Sequence, residues 1–157
     1  LVKLVDWSGE WAAAIGKAFV AFGGIEHVSV ACLRSIPRDN LQKSTKSLRL
    51  GQRIDLLTEI LEGYEEEPYR LLSQHLGRAK VLAETRNLIA HNPLLLEFYE
   101  RPDGTLYHQE VIAALHRDKK VTLVELKAFA DEAEALANAL YAASSEVFRL
   151  RASLAGA

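Results

Sequence analysis

Several things are scarce in this chain, and each scarcity narrows what it is. Cysteine occurs once in 157 residues, as Cys32, so no internal disulfide forms and a reducing cytoplasm is the default setting. There is no Cys pair, and the five histidines are scattered. No convincing set of metal ligands is therefore visible, and neither a metal nor any other cofactor is expected. Methionine is absent, even at position 1. The expectation is a chain that lacks its native start, with which a targeting segment could have been lost. An excess of base is missing too: net charge is −2 and the pI is about 6.2, so the global balance does not advertise nucleic acid. The most apolar stretch, residues 11–36, carries Lys17, Glu26, His27 and Arg34. It offers no clean run of about 20 apolar residues, and no membrane partner is expected. What is present, 49% apolar and 25% charged residues, suits one globular domain over residues 1–157 with a single core.

Hydrophobic periodicity divides the chain into helices. A first runs from about Asp6 to Ile36. It carries Ala12, Gly16, Val20 and Gly24 at four-residue intervals. Two readings are open: small residues that admit a close helix neighbour, in the core or across a dimer, or a break at Gly23-Gly24. Pro37 to Asn40 reads as a loop with Asn40 as an N-cap. A second helix follows from about Leu41 to Leu61, weakened near Leu50-Gly51. A third spans about Glu67 to His91, with Pro68 in its first turn and Asn92-Pro93 ending it. The last begins at the capping box Thr122-x-x-Glu125. Its apolar positions Leu126, Phe129, Ala133, Leu136, Leu140, Ala143, Val147, Leu150 and Leu154 alternate steps of three and four, the spacing of a left-handed bundle crossing.

Between the third and last helices the pattern changes. Leu94 to Glu100 and Thr105 to Val111 are rich in branched and aromatic residues and flank Arg101-Pro-Asp-Gly104. Proline presets such a turn and glycine accepts positive φ, so the segment predicts a β-hairpin at about 94–111. The expected fold is mainly α: an up-and-down bundle of four to five helices with a β-hairpin insertion.

Charge is segregated although its sum is small. Residues 34–53 hold six bases (Arg34, Arg38, Lys43, Lys46, Arg49, Arg53) against Asp39, a local +5; residues 54–67 hold six acids and no base. Lys43, Lys46 and Arg53 fall near one helical face if the helix continues through Gly51. With Arg49 they are candidate contacts to a nucleic-acid backbone; the plainer reading is a solvated face.

The stretch Glu84-Thr-Arg86-Asn87-Leu-Ile-Ala-His91-Asn92-Pro93 concentrates the chemistry. Arginine grips phosphate with two parallel hydrogen bonds and stabilises a pentavalent phosphoryl transition state. Histidine as a residue type moves protons near neutral pH. Asn87, four residues before His91, shares its helical face, as do Glu84 and Lys80. Arg86 and His91 are about 140° apart round a regular helix. They converge if the last turn unwinds or if a second copy of the helix packs alongside. The Arg-x(4–6)-His spacing alone is weak, since about one match is expected by chance. This chain has three: Arg70 to His75, Arg86 to His91, and Arg101 to His108. Only Arg86 combines a polar successor with a helix-ending position. The plainer reading has His91 capping the last carbonyls and Arg86 pairing with a glutamate such as Glu84.

Arg86-Asn87-Leu-Ile-Ala-His91 resembles the Arg-polar-x-x-x-His signature of HEPN domains, a helical and usually dimeric family that includes many metal-independent RNases. The resemblance extends, as pattern, over most of the chain. It implies that Arg86, Asn87 and His91 are catalytic, that two copies of the motif meet in a cleft of a homodimer, and that single-stranded RNA is the substrate. It further implies a toxin–antitoxin or phage-defence setting, with an antitoxin or other protein partner. The hairpin and the acidic balance depart from the simplest members. The competing expectation is a non-catalytic dimeric module that binds a nucleotide, nucleic acid or protein.

Overall fold

The computed structural model describes residues 6, 8–37, 45, 47–114 and 119–156. Among these the chain is mainly helical, with four helices and a small antiparallel sheet. The elements in order are α1 (Glu10–Ser35), α2 (Leu50–Leu61), α3 (Glu67–His91), β1 (Leu94–Glu100), β2 (Leu106–Ala113), β3 (Lys120–Thr122) and α4 (Leu123–Ala155).

Local chemistry sets most helix ends. Asp6 is not in α1 as its expected start; it lies ahead of the helix, where its carboxylate accepts the Ala12 N–H at 2.8 Å and satisfies one orphan donor of the first turn. Thr122 and Glu125 form the expected reciprocal box at the head of α4: Oγ1 of Thr122 accepts the Glu125 N–H at 3.3 Å, and the Glu125 carboxylate accepts the Thr122 N–H at 2.8 Å. Those donated hydrogen bonds, the Thr122 backbone N–H first, hold the Glu125 carboxyl below its ordinary range. At the end of α3 the side-chain amide of Asn92 donates to the Leu88 carbonyl at 2.7 Å. Asn92, rather than His91, caps that helix.

The core is one continuous cluster. α1 supplies Trp11, Phe22, Ile25 and Val28, α2 supplies Ile54 and Leu57, α3 supplies Tyr69, Leu72 and Leu76, and α4 supplies Leu126, Phe129 and Leu140. Each large side chain withdrawn fully from water contributes about 1.5–3 kcal/mol before the cost of ordering it. The apolar stripe of α4 is buried from Leu126 to Val147, half-buried at Leu150 and exposed at Leu154, so the stripe outruns its neighbours. Cys32 is fully buried, and burial pushes its thiol up to about 12, which makes it a small apolar side chain rather than a nucleophile.

α1 is not interrupted at Gly23-Gly24. Gly24 instead permits close packing: a Cβ there would lie 3.4 Å from Tyr141 Cε2 and 3.7 Å from Ala137 Cβ. Ala12, Gly16 and Val20 of the same stripe face solvent. By length and hydropathy alone α1 would also pass as a membrane-crossing helix; in this fold its apolar face is the one packed into the core.

The expected second helix is interrupted, because residues 47–49 are not helical. α2 begins at Leu50, where Arg49 is extended and its N–H is accepted by the Gln52 side chain at 3.0 Å. Gly51 therefore sits in a first turn and does not weaken a helix interior. The Asn40 cap, Lys43 and Lys46 lie outside the described residues; Arg49 and Arg53 are the described members of the basic stripe.

The hairpin is also corrected. β1 and β2 pair antiparallel from Leu94↔Ile112 to Glu100↔Leu106, but a third strand joins them, with Ile112 opposite Val121. The turn is as expected: Gly104 takes φ 81° and donates its N–H to the Arg101 carbonyl at 2.8 Å. The sheet has two unlike ends. At its root Ile112 and Val121 enter the core, and Trp11 Nε1 donates to Glu110 at 2.7 Å. At its tip Phe98 and Leu106 are exposed.

Candidate functional site

The last three turns of α3 form one wall of a cleft of about 760 Å³. From this helix come Lys80, Ala83, Glu84, Arg86, Asn87 and His91. The face inferred from helical spacing, carrying Lys80, Glu84, Asn87 and His91, is thus one lining. Arg86 reaches the same space from beside it. Leu48 to Gly51 and Arg53, from the start of α2, form the opposite wall. α1 contributes Glu26 between them.

Glu26 is the residue that the sequence did not single out for chemistry, and it holds the cleft together. Its Oε1 lies 3.5 Å from a terminal nitrogen of Arg86, and its Oε2 lies 3.6 Å from one of Arg53. One carboxylate therefore stands between two guanidinium groups from two different helices. Both separations exceed the 2.7–2.9 Å or so of a tight charge-assisted hydrogen bond. Glu84, the partner anticipated for Arg86, instead lies 3.7 Å from Lys119.

Each arginine is anchored by other means. The Arg86 guanidinium sits 5.3 Å from the centroid of the Phe19 ring, a cation–π contact, and donates to Asn87 Oδ1 at 3.2 Å. Its side chain is 29% exposed, and that of Arg53 only 14%, which places both well below the surface lysines. The Nε atoms of Arg53 and Arg86 are out of solvent with no hydrogen-bond partner. A buried donor without an acceptor costs about 1–3 kcal/mol, so both Nε–H groups call for an acceptor that the neighbouring side chains do not supply.

His91 stands differently. It is exposed at the final position of α3, which stays helical to its end; the last turn does not unwind. Asn92 caps the carbonyls in its place. The imidazole has no hydrogen-bond or ion-pair partner among the described residues, so both ring nitrogens are open to a ligand. Arg49, at the cleft mouth, likewise has no side-chain partner among the described residues. Lys80 is paired with Asp55 at 2.5 Å.

The structure thus brings five predicted residues, Arg49, Arg53, Arg86, Asn87 and His91, to one cleft. Its ionic lining holds Arg49, Arg53, Lys80 and Arg86 against Glu26 and Glu84, an excess of two positive charges in a chain of net −2. Such a cleft attracts anions and focuses its field on them. Among the described residues no group of three His, Cys, Asp or Glu side chains is placed to hold a metal ion.

The competing match in the same helix is not brought together: Arg70 lines a separate cleft of about 680 Å³ to which His75 does not contribute. Arg70 is two-thirds exposed and pairs with Glu67 one turn away on its own helix. His108 lies on the exposed part of β2, its ring 6.2 Å from that of Phe98. No protein-family model matches this chain, and neither the curated proteins nor the solved structures contain a match to it.

Proposed function

We propose that this chain is a metal-independent endoribonuclease of the HEPN type, acting on single-stranded RNA as a homodimer. The observation that supports this reading is the shared cleft: Arg86, Asn87 and an unpartnered His91 open on the same space as Arg49 and Arg53. The helices would then correspond to an up-and-down HEPN bundle with the sheet inserted before the last helix.

The chemistry needs no outside nucleophile. The 2′-oxygen of the RNA attacks the adjacent phosphorus, the bond to the 5′-oxygen breaks, and a 2′,3′-cyclic phosphate and a 5′-hydroxyl result. His91 moves a proton at the 2′-oxygen or the leaving oxygen. Arg86 stabilises the added negative charge on the phosphoryl oxygens. Asn87, bonded to Arg86, orients the guanidinium. Arg49 and Arg53 receive the flanking backbone. A second copy with its own His91 would supply the complementary acid or base. A toxin or phage-defence role, with an antitoxin or other protein partner, accords with such an activity.

Purified protein should cleave single-stranded RNA in excess EDTA, leave DNA of the same sequence intact, and yield the cyclic ends. Light scattering at micromolar concentration should give about twice the 17.4 kDa chain mass, as for a two-fold assembly. Wild type and His91→Ala equally inactive on a broad RNA panel would shift the reading to a binding module. A monomer at every concentration would remove the composite site.

A further inference from the structure

The pairing of Arg53, Arg86 and Glu26 has the form of a binding site holding a substitute. Two guanidinium groups from α2 and α3 converge, yet neither is fully engaged. Their Nε donors are out of solvent and unpartnered, and their terminal nitrogens stand 3.5 and 3.6 Å from a single carboxylate. A carboxylate is flat and offers two oxygens. A phosphate is tetrahedral and larger, so its oxygens stand farther apart and out of one plane, where two forks from different helices can each meet one. The Glu26 side chain is 40% exposed, so it stands at the solvent side of the pair and can move aside. Lys80 and Glu84 do not compete for the position, being paired with Asp55 and Lys119.

We propose that Arg53 and Arg86 form a two-arginine phosphate site that the Glu26 carboxylate occupies in the resting chain and that an incoming phosphate takes over. The proposal rests on the nuclease reading only for the identity of the phosphate as part of RNA. It makes Arg53 a direct partner of the reacting phosphate rather than one charge of a peripheral stripe. It makes Glu26 a positioning residue, one that keeps two like charges together in the empty cleft and sets a threshold against weak anions.

The test is a titration of ¹⁵N-labelled protein with inorganic phosphate at constant ionic strength, read at the Nε–H resonances of Arg53 and Arg86. In the wild type both should shift saturably, with chloride giving no such response. Glu26→Gln keeps the shape and removes the competing charge, and should tighten phosphate binding roughly tenfold. Adding Arg53→Gln to Glu26→Gln should abolish that gain. Unchanged or weaker binding by Glu26→Gln, or a gain that survives loss of Arg53, overturns the proposal. Should Glu26→Gln fail to fold, the wild-type titration decides: no saturable shift at either Nε–H is equally fatal. RNA cleavage without a phosphate response would reject this site and leave the nuclease reading. A phosphate response without cleavage would do the reverse.

Discussion

The two halves of α3 carry the same spacing and lead different lives. Arg70 and His75 lie in the first half, Arg86 and His91 in the second, each pair five residues apart. Arg70 reaches only to Glu67 on its own helix and is 64% exposed. Arg86 is 29% exposed and meets Glu26 and Phe19 from α1. Both halves enter the core, the first through Tyr69, Leu72 and Leu76 and the second through Leu82 and Ile89. The second half faces a cleft that α1 and α2 complete. A helix supplies the spacing, and its neighbours decide whether the spacing becomes a site.

The largest expected effect tests the second half. His91→Ala should lower the rate of RNA cleavage about 10²–10⁴-fold, and Arg86→Ala about 10²–10³-fold, with thermal unfolding little altered for the exposed His91. Loss of fold without any prior activity to lose would erase the distinction between the halves.

Next in size is the mirror experiment. Leu76 is fully buried, and Leu76→Ala should cost about 2–5 kcal/mol of stability by chemical denaturation. The folded fraction should retain wild-type cleavage per molecule. A loss under 1 kcal/mol would show that the first half does not anchor the core.

A smaller effect separates the ring from the charge pair. Phe19→Leu keeps most of the volume and removes the π face beneath Arg86. A partly exposed cation–π contact is worth about 0.5–1 kcal/mol, so cleavage or phosphate affinity should fall roughly two- to fivefold. An unchanged value would mean that Glu26 and Asn87 alone orient the guanidinium.

The smallest effect is the control. Arg70→Ala and His75→Ala remove a match of identical spacing and should each change cleavage by less than about twofold and stability by less than about 0.5 kcal/mol. If either matches His91→Ala, the site has been assigned to the wrong half.

Much of the architecture was legible because it is written in short-range chemistry. Pro68 and Pro93 bracket α3, Thr122 and Glu125 start α4, and Gly104 turns the hairpin; each acts through atoms a few residues away. The expected helix was carried through residues 47–49 because apolar spacing continues there, while the backbone at Arg49 is extended. β3 went unrecognised because Lys120 to Thr122 is three residues long and merges into the capping box. Its pairing with β2 is what makes it a strand.

The candidate site divides along the same line. Helical periodicity alone placed Lys80, Glu84, Asn87 and His91 on one face, since a fixed rotation per residue needs no tertiary information. Only the packing of three helices decided that Glu26 would stand between Arg53 and Arg86, residues far apart in the chain. Glu26 lies on the most apolar helix, where a single acid reads merely as an interruption. Its meaning comes from which side of α1 is left uncovered where α2 and α3 meet it. That is settled by how the buried faces fit together, and no local pattern encodes it.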